Sequence, residues 1–151
     1  MKELSSPQVN LYMAEALTLS KRALPNCKPN PPVGCVIVKD NIKIAEGFTQ
    51  VPGHYHAEAA ALAACTNGAK DASVFVTLEP CSFHGRTPSC AKALIEAGVK
   101  EVYVALIDPD PRNSGAGIHM LQSAGITVHV GILHEEVAAF LEQHLTKKTV
   151  V

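Results

Sequence analysis

The apolar positions of the chain switch repeatedly between helical and strand-like spacing. Val9, Tyr12, Met13, Ala16, Leu17, Ala23 and Leu24 recur at helical intervals after Ser6-Pro7, a helix start, and Pro25 limits that helix. Val33–Val38 and Ile42–Phe48 are β-rich runs around the polar turn Lys39-Asp40-Asn41, which predicts an antiparallel hairpin. From His56 to about Cys65 the chain is dense in Ala and Leu, and Asn67-Gly68 follows as a helix stop. Strands over Ala72–Leu78, Val102–Ile107 and Ile126–Val130 then alternate with helices over Ser89–Ala97, Ile118–Ala124 and His134 to about Leu145. Strands separated by helices pair in parallel through right-handed crossovers. The pattern therefore predicts one α/β domain over residues 1–151, a mixed five-stranded sheet with helices on both faces in three layers.

Composition narrows the class of protein. A chain of 151 residues buries roughly 70% of its unfolded surface and folds without staples. Hydrophobic residues at 47% and charged residues at 18% describe a globular chain, and no apolar run nears the roughly 20 residues of a membrane span. A formal charge of −1, no basic tract, and only four Phe and three Tyr to stack on bases argue against a nucleic-acid partner. Met1-Lys2-Glu3-Leu4-Ser5-Ser6 lacks the blocks of a secretory signal, so the expected compartment is the cytoplasm. Five cysteines without such a signal point to metal ligation or burial, not a disulfide framework, and Cys27, Cys35 and Cys65 sit in contexts suited to packing.

Chemistry concentrates in His56-Ala57-Glu58, Pro80-Cys81 and Cys90. One imidazole and two thiols are the soft donors of a catalytic Zn2+ site that keeps its fourth position open for water. The predicted elements bring them together: His56 and Glu58 at a helix start, Cys81 past the carboxyl end of a strand, and Cys90 at the next helix start. The dipole of that helix is expected to favour the thiolate at Cys90. Glu58 is the candidate to take a proton from the water and deliver it to a ring nitrogen and a leaving amine, the route of zinc deaminases. A closed structural zinc site with His84 as fourth ligand is the competing reading.

His56-Ala57-Glu58 with Pro80-Cys81 resembles the cytidine deaminase superfamily. Asn30-Pro31-Pro32-Val33-Gly34-Cys35-Val36-Ile37-Val38, the stretch from Thr77 through Glu79-Pro80-Cys81 to Arg86-Thr87-Pro88-Ser89-Cys90, and Ala105-Leu106-Ile107-Asp108-Pro109-Asp110-Pro111 resemble the deaminase domain of bacterial riboflavin biosynthesis enzymes. The likeness runs from about Tyr12 to about Leu141. It implies a cytidine deaminase-like fold, His56, Cys81 and Cys90 as zinc ligands, and Glu58 as proton shuttle. It also implies Asn30 against a pyrimidine, Arg86 against a phosphate, and Asp108 with Asp110 on the ribosyl side. The implied substrate is diaminohydroxyphosphoribosylaminopyrimidine, deaminated with release of ammonia by a homo-oligomer, with reduction left to a separate reductase. Thr49, Ala59, Ala60, Phe83 and Asp110 depart from the usual pattern and affect substrate, not metal. Three readings stand: that deaminase, a zinc deaminase of another nucleoside, nucleobase, pterin or secondary-metabolite pyrimidine, and a non-catalytic zinc-stabilised binding module.

Overall fold

Helix α1 (Ser6–Lys21) starts behind a capping box. Ser5 Oγ accepts from Gln8 N at 3.3 Å while Gln8 Oε1 accepts from Ser5 N at 2.8 Å, with Pro7 in the first turn. The computed structural model describes residues 3–85 and 87–145. Strands β1 (Gly34–Lys39) and β2 (Ile42–Phe48) form the expected hairpin. Its turn places Asp40 and Asn41 at φ 54° and 59°, the left-handed pair that matches strand twist and that Asp and Asn tolerate.

The sheet continues from β1 to β3 (Ser73–Leu78), then β4 (Glu101–Leu106) and β5 (Thr127–Val130), in the order β2-β1-β3-β4-β5. β1 is antiparallel to both neighbours, and β3, β4 and β5 run parallel. Every residue of β3 is buried, as a central strand covered on both faces requires. Phe75 on β3 stacks on Tyr103 of β4 with ring centroids 4.6 Å apart.

Helices α2 (Ala57–Ala63), α3 (Cys90–Ala97) and α4 (Ala116–Ser123) lie along one face, and α1 with α5 (His134–Leu141) along the other, where Lys21 reaches the Phe140 ring. The mixed three-layer α/β/α architecture is the one the sequence pattern predicts. Glycines let both layers approach the sheet: a Cβ on Gly34 would overlap the Ala16 carbonyl of α1, and one on Gly47 the Ala57 carbonyl of α2.

Several boundaries differ from the expectation, among them the closing helix, which ends at Leu141 and passes into a 3-10 turn over Glu142–His144. α2 ends at Ala63, short of Cys65, and Asn67-Gly68 lies in the following turn, because residues 64–72 carry the chain back to β3 and bury Ala69 and Ala72 on the way. α4 starts two residues early at Ala116, since Gly115 adopts φ 97° and a buried carboxylate receives the first amides. Among the described residues no helix is long and apolar enough to cross a membrane.

Candidate metal centre

His56 is the N-cap residue of α2, so its extended backbone turns the imidazole toward the carboxyl end of the sheet. Glu58 follows in the first turn, 4% exposed, and Cys81 lies three residues past the end of β3. Cys90 is the first residue of α3. The start of α3 is latched onto Cys81: Ser89 Oγ donates to Cys81 O at 2.8 Å and accepts from Lys92 N, and Ala91 N donates to the same carbonyl at 3.0 Å. Eight intervening residues thus return the second thiol to the first.

The donor atoms of His56, Cys81 and Cys90 lie within 4.8 Å of one another. His56 Nδ1 is 3.5 Å from Cys90 Sγ and 3.9 Å from Cys81 Sγ. A tetrahedral zinc with ordinary bond lengths sets nitrogen–sulfur edges of roughly 3.6 Å, so the three side chains fit that ion with little movement. Thr87 Oγ1 is 3.1 Å from Nε2, so with Nδ1 turned to a metal the Nε2–H has Thr87 as its acceptor. His84 is exposed and outside this group, and among the described residues no fourth His, Cys, Asp or Glu joins it.

Charge in the cluster is poised for a cation. The Cys81 thiolate is favoured, held down to about 4 chiefly by hydrogen bonding from Cys90, with help from His56 and the Cys90 amide at 3.3 Å. Cys90 is pushed far up by that thiolate and by burial. His56 is raised mainly by its contact with Cys81. Burial, then the Cys81 thiolate, lifts Glu58 to about 7. A divalent cation would relieve this crowding by taking the last thiol proton's place.

A cleft of about 500 Å³ opens above the cluster, of a size for a small ligand. Asn30, Asp108 and Asp110 line it together with His56, Glu58 and Cys81, while Arg86 lies outside the described residues. Four residues without a role in the sequence pattern also shape it. Thr87 orients His56, and Arg112 forks onto Asp110 at 2.6 Å. Glu79, 3% exposed, accepts amides from Asp108, Gly115 and Ile118. Asn113, 2% exposed, donates to Pro80 O and Asp108 Oδ2 and accepts from Ser82 N and Gly117 N. A charged residue between a fully buried strand and Pro80-Cys81 was the available signal for Glu79. The amides of Gly115 and Ile118 at the start of α4 thus point at a carboxylate of the protein itself.

Fold and site together define a zinc-dependent deaminase domain. Residues 6–106 match the cytidine and deoxycytidylate deaminase zinc-binding region, and the chain belongs to that family. It is 50% identical over 129 residues to the riboflavin biosynthesis protein RibD of Escherichia coli K12, covering 85% of this chain and 35% of that protein. The structure of Acinetobacter baumannii RibD superposes with a TM-score of 0.88 at 47% identity, over 92% of this chain and 39% of that one. A diaminohydroxyphosphoribosylaminopyrimidine deaminase/5-amino-6-(5-phosphoribosylamino)uracil reductase from Thermotoga maritima superposes with a TM-score of 0.85 at 40% identity, over 91% and 40%. The chain thus spans about two fifths of the length of these relatives.

Proposed function

We propose that this chain hydrolyses the exocyclic amine of diaminohydroxyphosphoribosylaminopyrimidine, releasing ammonia, in riboflavin biosynthesis. The observation that carries the reading is the buried Glu58 carboxylate beside a three-donor His/Cys/Cys cluster at the floor of the cleft. Likeness to RibD supplies the substrate class.

In this reading His56, Cys81 and Cys90 hold Zn2+, which supplies Lewis-acid activation of water. Glu58 carries one proton of the water to the ring nitrogen, then carries the second, from the hydroxyl now on the ring carbon, to the departing amine. Burial of its carboxyl favours the protonated form needed for delivery. Thr87 keeps the imidazole in one tautomer, and Asn30 faces the pyrimidine edge. Asp108 and Asp110 lie toward the ribosyl arm, and Arg86 is assigned to its phosphate. The free thiols of Cys27, Cys35 and Cys65 suit the reducing cytoplasm, where we place the enzyme as a homo-oligomer. Within residues 1–151 we place deamination alone, with reduction on a separate reductase.

The test is ammonia release by the zinc-loaded protein against a panel of the phosphoribosylaminopyrimidine, cytidine, deoxycytidylate, guanine and pterins. The phosphoribosylaminopyrimidine is expected to be turned over with the highest kcat/KM. Preference for another heterocycle overturns the substrate, and no turnover of any compound favours a binding module.

A further inference from the structure

We propose that Arg112 reads the substrate's phosphate at the mouth of the cleft, held in place for that task by Asp110 and Phe83. The inference rests on the phosphoribosylaminopyrimidine reading above and adds to it a specificity-determining residue.

Electrostatics poses the problem. Four carboxylates line the cleft, those of Glu58, Glu79, Asp108 and Asp110, and Arg112 is the sole Lys or Arg among the described lining residues. Beside Arg86, assigned above to the phosphate, a phosphorylated substrate entering such a cleft gains from a second cation facing it. Glu79 is internally satisfied by three amides, and Asp108 accepts from Asp110 N and Asn113 Nδ2. Asp110, whose charge by sequence opposes an anionic ligand, is spent on Arg112. Its Oδ1 accepts from Arg112 N at 2.9 Å and Nε at 3.1 Å, and its Oδ2 from Nη2 at 2.6 Å. That pairing holds the Asp110 carboxyl below its ordinary range.

The same contacts fix the guanidinium. Its carbon lies 4.6 Å from the Phe83 ring centroid, so an aromatic face supports it on one side while the carboxylate grips one edge. Nη1 makes no protein hydrogen bond among the described residues, and the side chain is 64% exposed. A planar fork with one edge held and the other turned to solvent is suited to paired hydrogen bonds with phosphate oxygens. Its base is rigid as well, since the adjacent Asn113 ties the loop to Pro80 and Ser82 on either side of Cys81. Two departures from the family pattern, Phe83 and Asp110, thereby become parts of one device, and Asp110 acts as a positioning residue.

The experiment compares ammonia release from the phosphoribosylaminopyrimidine and from its dephosphorylated riboside, using zinc-loaded wild type, Arg112→Gln, Arg112→Lys and Asp110→Asn. Arg112→Gln is expected to raise KM for the phosphorylated compound roughly 10- to 100-fold, the loss of charge-assisted hydrogen bonds, with kcat within about twofold and no change for the riboside. Arg112→Lys recovers part of that loss because charge remains without the fork, and Asp110→Asn raises the same KM less than Arg112→Gln. Zinc content and melting temperature are measured on each variant and are expected to match wild type. Equal KM changes for the two compounds, or none, overturn the role of Arg112 while leaving the deaminase reading intact. A wild type that turns over neither compound, or prefers the riboside, overturns both.

Discussion

Replacing Glu79 by Gln tests whether one buried carboxylate joins the metal-ligand segment to the loop that carries Asp108. Glu79 Oε1 accepts from Gly115 N at 2.9 Å and Asp108 N at 3.1 Å, and Oε2 accepts from Ile118 N at 3.1 Å. Gln preserves the shape and keeps two acceptor contacts, but sets an amide NH2 against the Ile118 N–H and removes the charge at the start of α4. A buried orphaned donor costs about 1–3 kcal/mol, and weakening the two remaining charge-assisted bonds adds to it, so we expect a loss of about 2–4 kcal/mol. For a chain of this length each kcal/mol lowers Tm by about 2–4 °C, which gives a drop of about 5–15 °C. Calorimetric melting of zinc-loaded protein measures it, and Glu79→Ala, which orphans all three amides, should fall further. A Glu79→Gln variant melting within about 2 °C of wild type would refute the reasoning.

Glu58→Gln is expected to retain zinc and to lower ammonia release by roughly 10²–10⁴-fold, the usual share of a general acid–base; unchanged turnover removes Glu58 from the mechanism. The same variant carries a pH signature in chelator-treated protein. Because the folded carboxyl titrates near 7, above its unfolded value of 4.5, its ionisation withdraws stability as pH rises through that window, and Gln has nothing to ionise. Melting temperatures at pH 5 and pH 8 should therefore show Glu58→Gln gaining on wild type at the higher pH, a comparison that cancels the opposing contribution of Cys81. Cys90→Ser should lose stoichiometric zinc in a chelator competition assay along with the rise in Tm that zinc gives wild type, and tight retained binding would count against the ligand set. Gly117→Ala should lower both Tm and activity, since its Cβ would overlap the Pro80 carbonyl and push α4 off the segment leading to Cys81; a wild-type Tm would contradict that packing.

Periodicity and short motifs carried the architecture because they are local. The hairpin around Asp40-Asn41, the apolar run of β3 and the helix after Ser89 each follow from residues within a few positions of one another. His56, Glu58, Cys81 and Cys90 were legible for a related reason: soft donors and a nearby acid are rare enough in company to name a chemistry before any fold is known. Tertiary structure decided matters that depend on which distant groups meet. The Cys81 thiol is acidified because the Cys90 amide meets its sulfur across the latched turn, a contact between residues nine apart. The first amides of α4, those of Gly115 and Ile118, meet the carboxylate of Glu79 from 36 and 39 residues upstream. The charge of Asp110 is offset because Arg112 folds back onto it over Phe83. Sequence determines which groups are available and which elements they ride on; their ionisation and pairing depend on distances and burial that exist only once the layers have packed.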